Sequence, residues 1–128
     1  MAPSNERPDA RILIVDDQPA NVRLLEHTLR RAGYLAVTAT TDPRDVAALQ
    51  SQHRYDLIVL DLQMPNLNGF EVMEQLRRIS EEERPVILVM SADSAQKAAA
   101  LEAGATSFLG KPFKLPDVVA HIQSMLVP

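Results

Sequence analysis

Three short apolar runs, Ile12-Leu13-Ile14-Val15, Leu57-Ile58-Val59-Leu60 and Val86-Ile87-Leu88-Val89-Met90, lack the polar alternation of a half-exposed strand. Such runs read as strands buried on both faces, as in a parallel sheet. Leu35 to Thr40 alternates and reads as a second strand, and Ser107-Phe108-Leu109 as a short fifth. Between the strands the period changes to that of a helix. Pro19 suits a first helical turn, where its missing N–H costs nothing. Val22, Leu25, Leu29 and Ala32 follow at helical spacing, and Gly33 is a stop signal. Asp42 reads as an N-cap and Pro43 as the first residue of a second, short helix that carries Val46 and Leu49 and runs to Gln52. After a loop with Met64-Pro65-Asn66 and Gly69, a third helix turns Val72, Leu76 and Ile79 inward. An Ala-rich fourth helix spans Ser94 to Ala103 and is capped by Gly104. A last helix runs from about Pro116 to Leu126 with Val118, Ile122 and Met125 inward. Five β-α pairs imply right-handed crossovers and a doubly wound parallel sheet of five strands covered on both faces, a three-layer (βα)5 architecture of the α/β class. Residues 1–10, with Pro3, Ser4, Asn5, Glu6, Pro8 and Asp9, read as a disordered tail, which leaves 11–128 as one domain.

In open parallel sheets, ligands bind beyond the carboxyl ends of the strands. The residues just after each run are therefore the informative ones. They are Asp16 and Asp17 after the first strand, Asp61 after the third, Ser91 after the fourth and Lys111 after the fifth. Alone, each has an ordinary reading as a cap, a turn former or a solvated charge. Together they put five polar groups at one edge. Two carboxylates about 4 Å apart repel by roughly 4 kcal/mol at an effective dielectric near 20. Three carboxylates against one lysine leave two negative charges unbalanced, which a hard divalent cation such as Mg²⁺ would offset. The Lys111 ammonium and the Ser91 hydroxyl suit a phosphoryl oxygen, and an Asp between Mg²⁺ and a lysine can act as a nucleophile on phosphorus.

Composition narrows the classes. The 128 residues include no cysteine, which excludes a disulfide framework, a thiolate metal site and a cysteine nucleophile. A net charge of −4 argues against direct nucleic-acid binding. No apolar run is long enough to span a bilayer. MAPSNERPDAR lacks the apolar stretch of a signal peptide, so the expected compartment is the cytoplasm.

The segments ILIVDDQPANVRLLEHTLRRAGY, DLIVLDLQMPNLNGFEV, PVILVMSA and SFLGKPF resemble the receiver domain of bacterial two-component response regulators, from about Arg11 to Leu126. The resemblance implies the CheY-like, flavodoxin-like form of the fold. It implies Asp61 as phosphoacceptor and Asp16 and Asp17 as the acidic pair that holds Mg²⁺, with the backbone carbonyl of Gln63 as a further ligand. Ser91 and Lys111 match the phosphoryl-contacting hydroxyl and lysine, and Pro112 a position that is usually cis. Phe108 matches the aromatic switch position, often Tyr; the competing reading is an ordinary core aromatic. The resemblance also implies a sensor histidine kinase or histidine phosphotransfer protein as phosphodonor, and an output domain or partner protein as reader. It allows a phosphorylation-dependent homodimer. On this reading the chain is a signalling domain, not a turnover enzyme.

Two other classes share the sheet. A Mg²⁺-dependent aspartyl-phosphate phosphohydrolase would want a second Asp two residues past the nucleophile, where Gln63 stands. A flavodoxin-type electron carrier would want a Ser/Thr/Gly-rich phosphate loop after the first strand, where DDQPAN is acidic. His27, His53 and His121 read as surface or boundary residues, Arg30-Arg31 and Arg77-Arg78 as solvated helix faces, and Met64 and Met73 as packing residues.

Overall fold

A computed structural model describes residues 7–62, 68–79, 82 and 84–126. Each unalternated run is a strand: β1 is Arg11–Val15, β3 Leu57–Asp61 and β4 Val86–Ser91. The alternating segment supplies β2, Ala36–Thr40, and β5 is Ser107–Gly110. All pair in parallel, in the order β2-β1-β3-β4-β5. The helices are α1 (Pro19–Arg31), α2 (Val46–His53), α3 (Gly69–Arg77), α4 (Lys97–Glu102) and α5 (Leu115–Met125).

Strand parity divides the apolar runs into two cores, because successive side chains point to opposite faces. Ile12, Ile14, Leu57, Val59, Leu88 and Met90 face Val22, Leu25 and Leu29 of α1 and Val118 and Ile122 of α5. Leu13, Val15, Ile58, Leu60, Ile87 and Val89 face Val46 of α2, Val72, Met73 and Leu76 of α3, and Ala100 of α4. The central runs carry no polar residue because neither face meets water.

Several boundaries differ from the sequence reading. Residues 7–10 are not a free tail. Ala10 is buried, its N–H donates to the Arg7 carbonyl, and the Leu35 N–H donates to the Pro8 carbonyl. The folded part therefore includes residues that composition alone assigns to a tail. Leu35 lies outside β2 and is 74% exposed. Ile79 lies beyond the end of α3 but still packs against the core beside Val72 and Leu76, and Met73 joins that buried face. The Asp42–Pro43 signal starts a 3₁₀ turn, Pro43–Asp45, with the Asp42 side chain accepting from the Arg44 N–H, and α2 follows it. The fourth helix is likewise divided into a 3₁₀ turn at Ser94–Gln96 and a short α4. The stop signals hold: Gly33 and Gly104 adopt φ of 98° and 120°, values that side chains resist.

Gln50 is a buried polar residue that helical patterning does not flag. Its Nε2 donates to the Tyr55 carbonyl at 3.2 Å and its Oε1 accepts from the Tyr55 N–H at 3.0 Å, tying the end of α2 to the start of β3. Replacing Gln50 with Leu removes both partners from a buried peptide. The expected cost is about 1–3 kcal/mol, read from the denaturation midpoint.

Candidate functional site

The carboxyl ends of β1, β3, β4 and β5 form one edge. Asp16 and Asp17 follow β1, Asp61 and Ser91 end their strands, and Lys111 follows β5. Because β3 lies beside β1, the acidic pair stands next to Asp61. Asp16, Asp17 and Asp61 each offer a carboxylate oxygen within 4.8 Å of the other two. Asp16 is fully buried, Asp61 is 4% exposed and Asp17 is half-buried. Lys111 reaches over from β5. Its Nζ lies 3.2 Å from Asp61 Oδ2 and 3.9 Å from Asp16 Oδ2, so one ammonium serves two carboxylates. The peptide between Lys111 and Pro112 is cis, as the resemblance implies.

Asp16 is held by its own loop. Its Oδ1 accepts from the Gln18 N–H at 2.9 Å and its Oδ2 from Asn21 Nδ2 at 3.4 Å. Burial pushes the Asp16 carboxyl up from its ordinary value; the Gln18 N–H opposes this, the Asp61 charge adds to it, and Lys111 and Asn21 oppose it. Its charged form is thus less favoured than that of a free aspartate. The stability this supports is complete below the ordinary carboxylate pKa and is lost as pH rises through the raised value. Three carboxylates sharing one ammonium form an oxygen donor set that fits a hard divalent cation.

Ser91 is fully buried between Asp61 and Lys111 in strand order, and its carbonyl accepts from the Lys111 N–H at 2.8 Å. Its hydroxyl is engaged elsewhere: Oγ donates to Gln96 Oε1 at 2.9 Å and accepts from the Asp93 N–H at 3.0 Å. Phe108, paired in register with Val89, is half-buried against the core on the α2–α4 side of the sheet. Gln63, Met64, Pro65 and Asn66 lie outside the described residues.

Residues 12–123 match the response regulator receiver domain family. The chain belongs to that family. Response regulator MprA of Mycolicibacterium vanbaalenii is 38% identical over 117 residues, which is 91% of this chain and 50% of that protein. The alkaline phosphatase synthesis transcriptional regulatory protein PhoP of Bacillus subtilis is 36% identical over 91% of this chain and 48% of its own length. The chain thus spans about half the length of the curated relatives it matches. Chemotaxis protein CheY4 of Vibrio cholerae superposes with a TM-score of 0.84 at 32% identity, covering 92% of this chain and 99% of that one. The receiver domain of sensor histidine kinase PA1611 from Pseudomonas aeruginosa superposes at 0.81 with 29% identity, over 91% of this chain and 97% of that one. It is described with a magnesium ion coordinated in its active-site cleft. This receiver domain is accordingly a module of two-component signalling with the CheY-like fold. Among its described residues no helix is long and apolar enough to cross a membrane.

Three residues of the receiver edge escape sequence reading. Asn21 sits in the second half of DDQPAN, where the start of α1 brings its amide back to Asp16. That signal was present, since the residue lies within the first turn after Pro19. Gln96 is hidden in an Ala-rich segment that reads as uniform helix. Gly69 reads only as a loop residue, yet it begins α3 directly against Leu62 and Asp61.

Proposed function

We propose that this receiver domain takes a phosphoryl group from the phosphohistidine of a sensor histidine kinase or histidine phosphotransfer protein onto Asp61, in a Mg²⁺-dependent reaction, and presents the changed surface to an output domain or partner protein. The observation that carries the reading is the buried Asp61 at the end of a central strand, 3.2 Å from the Lys111 ammonium and within 4.8 Å of two further carboxylates.

On this reading an Asp61 oxygen attacks phosphorus as the P–N bond to the donor imidazole breaks, and the bonding pair leaves with the imidazole nitrogen. Asp16, Asp17 and Asp61 would hold Mg²⁺, with the Gln63 carbonyl as a further ligand. When bound, the ion neutralises charge on the transferring oxygens. Lys111 offers its ammonium to the same oxygens, and such transfer depends mainly on positioning and charge neutralisation. Ser91 offers its hydroxyl proton once the group is in place. Burial of the edge strengthens each of these interactions relative to water. Phe108 and the α4–β5–α5 face are the elements expected to respond, since Ser91 ends β4 and Lys111 follows β5. The expected compartment is the cytoplasm. The phosphohydrolase reading finds no observation in its favour, because Gln63 cannot serve as the second acid.

Mg²⁺ is expected to raise the melting temperature. At ten times its dissociation constant, linkage contributes about 1.4 kcal/mol, roughly 4–6 °C for a domain of this size. Asp17→Asn should abolish that rise without lowering the Mg²⁺-free melting temperature, because it removes one of the mutually repelling charges. Thermal melts with and without Mg²⁺ check both. A wild-type protein insensitive to Mg²⁺ would count against the metal reading.

A further inference from the structure

We propose that Gln96 is a positioning residue that holds the Ser91 hydroxyl in a resting orientation and so sets how readily the phosphoryl site closes; the inference rests on the reading of Ser91 as a phosphoryl ligand. A serine hydroxyl has one proton to give. Here that proton goes to Gln96 Oε1 at 2.9 Å, and a lone pair is taken by the Asp93 N–H at 3.0 Å. While Gln96 is in place, Ser91 cannot donate to an oxygen on Asp61.

The latch is locally built. Gln96 is the last residue of the Ser94–Gln96 turn. Asp93 Oδ1 caps this turn by accepting from the Ala95 N–H at 3.0 Å, and the Gln96 N–H donates to the Asp93 carbonyl at 3.1 Å. The turn therefore delivers the Gln96 amide to Ser91 as a consequence of its own hydrogen bonds. Meanwhile the Ser91 main chain cannot travel. Ser91 is the last residue of β4, pairs in register with Gly110 and accepts from the Lys111 N–H at 2.8 Å. Reaching a phosphoryl oxygen therefore takes a rotation of the Ser91 side chain rather than a shift of the strand, and that rotation breaks the bond to Gln96. The amide of half-buried Gln96 then turns to water. One neutral hydrogen bond exchanged in this way is worth about a two- to tenfold change in the ratio of resting to closed forms.

The test is the affinity of the full chain for beryllofluoride in the presence of Mg²⁺, followed by amide NMR. Wild type, Gln96→Leu and Gln96→Glu are compared, each with Ser91 intact and in a Ser91→Ala background. Gln96→Leu removes the acceptor at similar volume and is expected to bind the mimic about two- to tenfold more tightly. Gln96→Glu keeps the acceptor and is expected to bind no more tightly than wild type. Both differences should vanish with Ser91→Ala. The latch is overturned if Gln96→Leu binds no more tightly than wild type while Ser91→Ala weakens binding, or if the Gln96→Leu effect persists undiminished in the Ser91→Ala background. If Ser91→Ala alone leaves the affinity unchanged, the reading of Ser91 as a phosphoryl ligand fails, and the latch with it.

Discussion

Asp61→Asn should carry no phosphoryl group after incubation with Mg²⁺ and a small phosphodonor such as acetyl phosphate, whereas the wild type should gain one acid-stable, base-labile group. The carboxamide that replaces the carboxylate has no charge, and its nitrogen lone pair is delocalised into the carbonyl. It is a poor nucleophile in the position of a good one. A loss of at least about a hundredfold, ~2.7 kcal/mol of barrier, is expected. The exchange keeps size and shape, so folding should survive. It also removes one of three carboxylates lying within 4.8 Å of one another, so the melting temperature in the absence of Mg²⁺ should not fall. Asp16 is a poor substitute acceptor, because its oxygens are engaged by the Gln18 N–H and the Asn21 amide and burial disfavours its charged form. Asp17 is half-buried beside it and is the residue to check if label persists. Intact-mass measurement before and after mild base decides. A variant that labels as fast as wild type would refute the assignment.

Gly69→Ala is expected to be the most damaging small change near the site. A Cβ on Gly69 would stand 2.7 Å from Leu62 Cδ2, 2.8 Å from Leu62 Cα and 3.0 Å from the Asp61 carbonyl oxygen. The Leu62 methyl can rotate aside, but the Leu62 Cα and the Asp61 carbonyl belong to the backbone that ends β3. The Gly69 N–H donates to the Leu62 carbonyl at 3.1 Å, so the start of α3 cannot simply back away. Overpacking that moves backbone costs about 1–3 kcal/mol or more, against a helix-propensity gain of at most about 1 kcal/mol for Ala. The clash wins, and a melting temperature lower by about 5–10 °C is expected. Because the displaced atoms include the Asp61 carbonyl, labelling should slow as well. Gly110→Ala is the control: nothing lies within 4 Å of its added Cβ, so its stability should stay within about 0.5 kcal/mol of wild type. Equal melting temperatures for Gly69→Ala and wild type would show that the end of β3 yields more easily than this contact implies.

The strands, the helices and the polar residues that follow each strand were legible in the sequence because each depends on neighbours within a few positions. Ile12–Val15, Leu57–Leu60 and Val86–Met90 have no polar alternation, since both faces of the central sheet are covered, and the apolar pattern stops at Asp16, Asp61 and Ser91, which are polar although buried. Gly33 and Gly104 mark helix ends through a backbone preference that is equally local. Strand order is a different kind of fact. That Asp61 lies beside Asp16, and that Lys111 reaches 3.2 Å from Asp61 across an intervening strand, follows from the order β2-β1-β3-β4-β5 and from register. Periodicity alone carries neither. The same holds for the burial of Ala10, which needs the Leu35 backbone to meet Pro8, and for the Gln50 bond pair to Tyr55, which needs a turn to close. Gln96 shows the limit most plainly. Its sequence context is a run of small residues with one helical period. Only the break of that run into a 3₁₀ turn capped by Asp93 and a short helix aims the side chain at Ser91.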